Sequence, residues 1–224
     1  MVKATASQPR WFTEALASHH VMGILRGYSV ARTLSLAARA WDFGARLVEV
    51  PIQSEEAVNT LAVLAARPRP ADCWVGAGTV LTVPHVERAK DAGARFVVSP
   101  GLDPAVVASA VELGLAVLPG VATASEIQHA LGLEMTWMKA FPAGALGPEW
   151  FNAMRGPFPD VAFVATGGIT ADNAAEYLVA GARTLGVGSM FGDEQQLSRL
   201  AASWSEPHPV APGQPVIPGR HLRQ

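Results

Sequence analysis

The stretch VAFVATGGITADNAAEYLVAGARTLGVGSM, residues 161–190, contains the pattern that decides the fold. A continuous apolar run leads into a glycine turn, a segment of helical periodicity follows, and a second apolar run ends in GVGS. Continuous apolar runs are typical of parallel strands that are buried on both faces and joined by helices. The stretch therefore predicts a strand–helix–strand unit with a glycine-rich turn after each strand.

The same unit recurs along the chain. Eight apolar runs alternate with helical segments, which predicts an α/β fold of the compact (β/α)₈ TIM-barrel class. A doubly wound open sheet uses the same alternation and is the alternative. The count of eight favours the barrel, as do the glycine-rich ends of the last two strands, where such barrels often bind phosphate. The predicted strands span residues 21–27, 46–52, 73–80, 95–101, 115–121, 136–143, 161–169 and 184–190.

The domain organisation follows from length and composition. The chain has 224 residues, of which 50% are hydrophobic, and this suits one domain with a large core. We expect a single barrel domain over residues 1–204, with an extra helix in PRWFTEALASH (9–19) before the first strand. Residues 205–224 are rich in proline and lack periodicity, so we expect an extended tail there.

The composition also limits the classes of binding partner and the kinds of site that we expect. The formal net charge is -2 and no basic patch stands out, which argues against nucleic acid and anionic membranes as partners. Cys73 is the only cysteine, so an intrachain disulfide and a CxxC motif are excluded. The six histidines lack ligand spacing, so we expect no metal site. The sequence contains neither a signal-peptide pattern nor an apolar run long enough to span a bilayer, so we expect a cytoplasmic protein.

Lys139 is the most informative residue. It lies within TWMKAFPA, a predicted strand that is apolar on both faces, whereas Lys90 lies on the polar face of a predicted helix. Burial disfavours the charged ammonium and lowers the lysine pKa. A neutral amine can attack a ketone and form a Schiff base. The alternative is a structural lysine that pairs with a core carboxylate or extends to the rim of the barrel.

Glu49 is the second such residue, because it stands between two valines on the second predicted strand. A buried carboxyl group with a raised pKa can serve as a general acid and base. The second and sixth strands of a barrel are not neighbours, so Glu49 and Lys139 can face each other across its mouth. A Glu49–Lys139 ion pair without chemistry is the structural alternative.

Several strand ends offer anion-binding groups. Consecutive glycines in VATGGIT (164–170) and GVGSM (186–190) let backbone N–H groups converge on an anion, although both can be simple tight turns. GAGTV (76–80) has three interpretations: its glycines allow close packing, the Thr79 hydroxyl caps a helix, or the loop binds an anion. Arg26 suits recognition of a carboxylate or phosphate, or pairs with a carboxylate at the rim.

Taken together, these motifs resemble one known family. The chain is similar to the class I aldolases that cleave 2-keto-3-deoxy-6-phosphosugar acids, which include aldolases for the 6-phosphogluconate, 6-phosphogalactonate and 4-hydroxy-2-oxoglutarate substrates. The resemblance runs in order from about Gly23 to Met190 and rests on VEVPIQS, VGAGTVL, VSPG, LPGVATASE, MKAFPA, TGGIT and GVGS.

The resemblance implies roles for individual residues. Lys139 would be the Schiff-base lysine and Glu49 the proton shuttle, Thr79 would bind the carboxylate of the pyruvyl unit, and Phe141 would pack near the lysine. The phosphate would be held by Gly167, Gly168, Gly188 and Ser189. The resemblance also implies an eight-stranded barrel, a homotrimer, and a reaction on a phosphosugar acid and pyruvate without metal or cofactor.

One segment separates the branches of this family. The phosphogluconate branch has a substrate-contacting arginine where this chain has Gln53, within Pro-Ile-Gln-Ser. That segment and FPAGALGPEW look more like the phosphogalactonate branch, as does Arg26, which can supply the missing positive charge. The resemblance thus favours a phosphogalactonate aldolase over the phosphogluconate or 4-hydroxy-2-oxoglutarate enzyme. Another phosphate-binding barrel enzyme and a non-catalytic phosphosugar-binding barrel remain as alternatives.

Overall fold

A computed structural model describes residues 8–16 and 19–205. Within these residues, nine parallel strands form one sheet in the order β5-β4-β3-β2-β1-β9-β8-β7-β6. The strands are β1 (Val21–Ile24), β2 (Leu47–Pro51), β3 (Trp74–Gly78), β4 (Phe96–Val98), β5 (Ala116–Leu118), β6 (Gly120–Val121), β7 (Trp137–Ala140), β8 (Ala162–Thr166) and β9 (Ala182–Val187).

The two ends of this sheet are consecutive in the chain, because only Pro119 separates β5 from β6. The backbone there bonds to both neighbours. Ser99 N donates to Leu118 O at 3.2 Å on one side, and Lys139 N donates to Pro119 O at 2.8 Å on the other. The sheet therefore closes, and β5 and β6 together occupy the fifth of eight positions. The predicted (β/α)₈ barrel is confirmed and the open sheet is wrong.

Helices follow the strands as the alternation predicts. They are α1 (Gln8–Leu16), α2 (Val30–Phe43), α3 (Glu55–Ala65), α4 (Val83–Asp91), α5 (Pro104–Glu112), α6 (Ala124–Gly132), α7 (Ala143–Leu146), α8 (Pro148–Arg155), α9 (Ala174–Ala180) and α10 (Glu194–Ser205), with a 3₁₀-helix at Ser189–Gly192. Four glycines at the carboxyl ends of helices have positive φ, the conformation that favours glycine. They are Gly44, Gly93, Gly114 and Gly181.

The strand boundaries differ from the prediction mainly at the carboxyl ends, where the glycine and proline residues form turns instead of ladder pairs. The eighth predicted strand spans 184–190, but β9 begins at Ala182 and the residues after Val187 turn into the 3₁₀-helix. The predicted tail lies outside the described residues from position 206 onward. Among residues 8–16 and 19–205, no helix combines the length and apolarity that crossing a bilayer requires.

Alternation along the strands separates two apolar clusters. On β2 and β7, Leu47 and Trp137 belong to the inner cluster, whereas Val48 and Met138 belong to the outer cluster beneath the helices. Since successive side chains on a strand point to opposite faces, a residue two positions after Leu47 or Trp137 also points inward. The barrel interior therefore receives Glu49 and Lys139.

Helix α1 plugs the amino-terminal end of the barrel. Phe12 is 1% exposed, and its ring centroid lies 6.3 Å from that of Trp137 and 6.2 Å from that of Phe96. Trp137 Nε1 also donates a hydrogen bond to Thr13 Oγ1 at 3.0 Å. These contacts fill the interior below Lys139 with aromatic side chains, so water has no access to the lysine from that end.

Truncation of the plug tests its contribution to stability. Phe12→Ala removes a buried ring from a packed interior and should lower the free energy of unfolding by about 3–5 kcal/mol. Urea denaturation followed by circular dichroism measures this change. The matched control is Glu14→Ala on the same helix, where an exposed side chain pairs with Arg10 and the change should stay within about 0.5 kcal/mol. Equal effects of the two substitutions would contradict the proposed plug.

Candidate active site

The two inward-facing ionisable residues occupy opposite parts of the barrel wall. Glu49 on β2 pairs in register with Ile24 and Gly76, and Lys139 on β7 pairs with Gly120 and Val164. Glu49 is the middle residue of β2 and Lys139 lies in the carboxyl-terminal half of β7, and both lie above the aromatic plug. Their side chains therefore meet at the end of the barrel where enzymes of this fold carry their chemistry.

The structure brings the lysine and the carboxylate together. Lys139 Nζ lies 3.9 Å from Glu49 Oε1, and the two residues are 3% and 1% exposed. This separation is too long for a hydrogen bond. A carbon atom bonded to Nζ would still lie close to the carboxylate. Within the described residues, neither oxygen of Glu49 accepts a hydrogen bond from any protein group.

Burial controls the protonation of both groups. It raises the pKa of Glu49, against the opposing attraction of Lys139 and Arg26. It lowers the pKa of Lys139, and the positive charge of Arg26 lowers this pKa further, while Glu49 raises it. Both shifts favour the uncharged forms, because a charged group without donors or water is costly to bury. The site can thus hold a neutral amine next to a carboxyl group able to transfer protons.

The segment after β7 is tied to the glycine turn after β8. Phe141 lies beside the lysine, with its ring centroid 5.0 Å from Lys139 Nζ. The Phe141–Pro142 peptide bond is cis. Gly144 N then donates to Gly167 O at 2.7 Å. The lysine strand and the TGG turn are therefore held at a fixed distance from each other.

The TGG turn after β8 has backbone dihedral angles that favour glycine. Gly167 and Gly168 have φ values of 89° and 81°, which other residues rarely adopt. Asn173 fixes the turn from the start of α9, because its side chain accepts from Thr170 N at 2.9 Å and donates to Gly168 O at 2.9 Å. Sequence reasoning did not single out Asn173, although asparagine before a predicted helix is a recognisable capping signal.

The second glycine segment lies next to the first, since β8 and β9 are paired. Gly188 follows β9, and a Cβ atom there would lie 2.7 Å from the carbonyl oxygen of Ile24. Close packing against β1 therefore requires glycine at this position. Ser189 is exposed at the start of the 3₁₀-helix. The two pairs of predicted phosphate-binding residues thus lie at the carboxyl ends of adjacent strands.

The remaining predicted residues lie at the rim. Arg26 and Gln53 are exposed and joined by a hydrogen bond from Arg26 Nη1 to Gln53 Oε1, so the partner of Arg26 at the rim is an amide and not the carboxylate of the structural alternative. Thr79 has a φ of 57°, an uncommon conformation for a non-glycine residue that occurs preferentially at functional sites. The alternative in which Thr79 caps the following helix is wrong, because Thr82 caps α4.

Comparison with known proteins places this geometry in a family. The model of the family described as "KDPG and KHG aldolase" matches residues 12–203. A 2-dehydro-3-deoxy-phosphogluconate aldolase of Treponema pallidum is 41% identical over 198 residues, which cover 84% of this chain and 93% of the relative. A probable 2-dehydro-3-deoxy-6-phosphogalactonate aldolase of Rhizobium meliloti is 36% identical over 170 residues, covering 75% and 80% of the two chains.

A solved structure agrees with these relatives. The KDPG aldolase of Legionella pneumophila, which holds pyruvate captured at low pH as a covalent carbinolamine intermediate, has a TM-score of 0.72 and 31% identity. The similarity covers 84% of this chain and 91% of that one. A non-catalytic binding barrel and an unrelated phosphate-binding enzyme are therefore set aside. The chain belongs to the KDPG and KHG aldolase family, and it is an aldolase, a lyase of carbon–carbon bonds.

Proposed function

We propose that this chain reversibly cleaves a 2-keto-3-deoxy-6-phosphosugar acid to pyruvate and glyceraldehyde 3-phosphate through an imine on Lys139. The observation that carries the proposal is the buried Lys139 amine lying 3.9 Å from the equally buried carboxyl group of Glu49. An imine requires an uncharged amine and a nearby group that both donates and accepts protons. This pair supplies both.

Imine formation comes first. The lone pair of Lys139 Nζ attacks the C2 ketone, and Glu49, which starts protonated, gives its proton to the carbonyl oxygen, which becomes the hydroxyl of a carbinolamine. Glu49 takes a proton from the nitrogen and gives one to that hydroxyl, which leaves as water. The resulting iminium carries a positive charge next to the Glu49 carboxylate, so the charge that forms in this step is stabilised by its neighbour.

Bond cleavage follows from the iminium. Glu49 removes the proton of the C4 hydroxyl through a bound water, the C3–C4 bond breaks, and its electron pair moves into the iminium to give an enamine. The C4 oxygen becomes the aldehyde of glyceraldehyde 3-phosphate. Protonation of the enamine at C3 and addition of water at C2 then release pyruvate and restore the Lys139 amine. Proton transfer of this kind typically contributes about 10²–10⁴-fold to the rate.

The neighbouring residues are proposed to hold the substrate. Thr79, in its uncommon backbone conformation, binds the carboxylate of the pyruvyl unit, and Phe141 packs against the carbon chain beside Lys139. The phosphate lies against the glycine segments after β8 and β9, where backbone N–H groups are unobstructed by side chains. These segments contribute Gly167, Gly168, Gly188 and Ser189.

The sugar epimer is proposed to be 2-dehydro-3-deoxy-6-phosphogalactonate. Gln53 stands where the phosphogluconate branch has an arginine. Arg26 follows a different strand, and its hydrogen bond to Gln53 places the guanidinium charge at this part of the rim. One named relative acts on each epimer, so relatives alone do not favour either. The alternative substrate is 2-dehydro-3-deoxy-6-phosphogluconate or 4-hydroxy-2-oxoglutarate.

Assembly and location complete the proposal. Members of this family usually form homotrimers, and we extend that state to this chain by resemblance. The cytoplasmic location is proposed from the sequence, which contains no signal-peptide pattern. Analytical ultracentrifugation of the full chain measures the assembly: sedimentation as three chains supports the trimer, and sedimentation as one or two contradicts it.

Borohydride trapping tests the imine. Incubation with pyruvate and sodium borohydride should reduce the imine to a stable secondary amine, located at Lys139 by peptide mass spectrometry. Lys139→Met should give no adduct, whereas the matched control Lys90→Met, at an exposed helical lysine, should be labelled like the wild type. An adduct that persists in Lys139→Met, or none in the wild type, would defeat the assignment.

The pH dependence tests the role of Glu49. Because burial lowers the pKa of Lys139, kcat/KM should be retained below the ordinary lysine pKa and fall when the pH drops through the lowered value. Glu49→Gln should lower kcat by about 10²–10⁴-fold. It should also move the acid limb to lower pH, because the carboxylate that raises the lysine pKa is gone. The control Glu87→Gln, at an exposed position on α4, should change neither kcat nor the pH of the acid limb. An unchanged pH dependence of kcat/KM in Glu49→Gln would contradict the electrostatic pairing of Glu49 with Lys139.

Kinetics on both epimers test the substrate. The coupled lactate dehydrogenase assay for released pyruvate should give a higher kcat/KM for the phosphogalactonate epimer than for the phosphogluconate epimer. Gln53→Arg should shift this ratio towards phosphogluconate, because it restores the arginine of that branch. A wild-type preference for phosphogluconate would overturn the epimer assignment while leaving the imine mechanism intact.

A further inference from the structure

We infer that Gly78 is a positioning residue for the aldol reaction, because the missing side chain leaves the space in which Glu49 turns its carboxyl group towards Lys139. The inference rests on the proposed function of Glu49 as proton shuttle. Gly78 itself touches no reacting atom in that mechanism. Its effect is transmitted through the orientation of a neighbouring side chain.

The evidence is an overlap that any side chain at position 78 would create. A Cβ atom built on Gly78 would overlap with Glu49 Oε2 and would lie 2.5 Å from Cδ and 3.2 Å from Oε1 of the same carboxyl group. The three nearest atoms all belong to Glu49, so the methyl group of an alanine at this position would overlap first with the Glu49 carboxyl group. The carboxyl group occupies the volume that a methyl group would need.

The strand register explains why this position matters. Glu49 pairs with Gly76 on β3, whereas Gly78 lies two residues further on the same face, opposite Pro51. The Glu49 side chain therefore reaches over β3 from the level of Gly76 up to the level of Gly78, towards the mouth of the barrel. The space at Gly76 has a different occupant, because a Cβ atom there would lie 2.5 Å from the ring of Phe96.

The conformation of the backbone at Gly78 does not require glycine. The residue is part of β3, its φ is not in the positive region, and its carbonyl oxygen accepts the ladder hydrogen bond of Ile52 N at 3.0 Å. Alanine suits an extended strand of this kind. A defect in Gly78→Ala would therefore come from the displaced carboxyl group and not from backbone strain.

Among the described residues, no hydrogen bond fixes the carboxyl group of Glu49. In the described part of the chain, neither of its oxygens accepts a hydrogen bond, and Lys139 Nζ is too distant to donate one. Its orientation is thus set by packing, and the open volume at Gly78 is the part of that packing which lets it lie near the lysine. Filling the volume forces the carboxyl group into another rotamer.

A cycle of variants tests the inference: Gly78→Ala, Glu49→Ala and the double variant, assayed by pyruvate release and by borohydride trapping with pyruvate across pH. Gly76→Ala controls for a Cβ overlap on the same strand and face, and Gly132→Ala controls for a glycine whose added Cβ meets nothing. Gly78→Ala should lower kcat by about 10²-fold or more, as expected for loss of proton transfer. In the Glu49→Ala background it should cost less than about twofold, because the space is then empty.

The pH dependence separates positioning from general damage. Displacement of the carboxylate removes the attraction that raises the pKa of Lys139, so the acid limb of imine trapping should move to lower pH in Gly78→Ala, as in Glu49→Ala. Loosening of the barrel would admit water to Lys139 and move the limb upward instead. Gly76→Ala should lose stability through its overlap with Phe96 and should keep this loss in the Glu49→Ala background.

The remaining outcomes are decisive. A kcat for Gly78→Ala within about twofold of the wild type, or full additivity with Glu49→Ala, overturns the inference. If Gly78→Ala does not fold, the double variant should fold with a melting temperature close to that of Glu49→Ala, and its failure to fold also overturns the inference. A wild type that forms no pyruvate adduct defeats the proposed function itself, whereas a labelled wild type with an unaffected Gly78→Ala defeats the positioning role alone.

Discussion

The structure depends on the burial of two ionisable groups that face each other inside a closed barrel. Lys139 and Glu49 are almost fully removed from solvent and lie too far apart for a hydrogen bond. A buried pair of this kind rarely stabilises a fold more than well-packed apolar residues do. Its retention in the middle of an apolar interior is therefore better explained by chemistry than by stability, since burial is what leaves the amine uncharged and reactive.

The rest of the barrel maintains that environment. Closure of the sheet at Pro119 removes the strand edges, and the aromatic plug formed by Phe12, Phe96 and Trp137 keeps water out from below. Above the plug, the interior holds the buried pair Glu49 and Lys139, and Arg26 and Gln53 are exposed at the rim. This division lets one end of the barrel supply the packing energy of the fold while the other holds groups that are costly to bury.

The sequence predicted the barrel and its two central residues because both depend on local patterns. Eight apolar runs with glycine turns specify the fold, and Lys139 is conspicuous as a lysine inside one of them. What the sequence did not predict depends on neighbouring strands. The split of the fifth strand, the hydrogen bond between Arg26 and Gln53, and the use of Gly78 as space for Glu49 all arise from register, which a single sequence does not reveal.

The central claim is that the Lys139 amine loses its charge more readily than an ordinary lysine, and titration of the lysine side chains by NMR tests it directly. The chain has three lysines, Lys3, Lys90 and Lys139, so ¹³C labelling at Cε gives a simple spectrum. The one resonance missing in Lys139→Met should titrate below the usual lysine value of about 10.4. A Lys139 resonance that titrates at that ordinary value would contradict the claim.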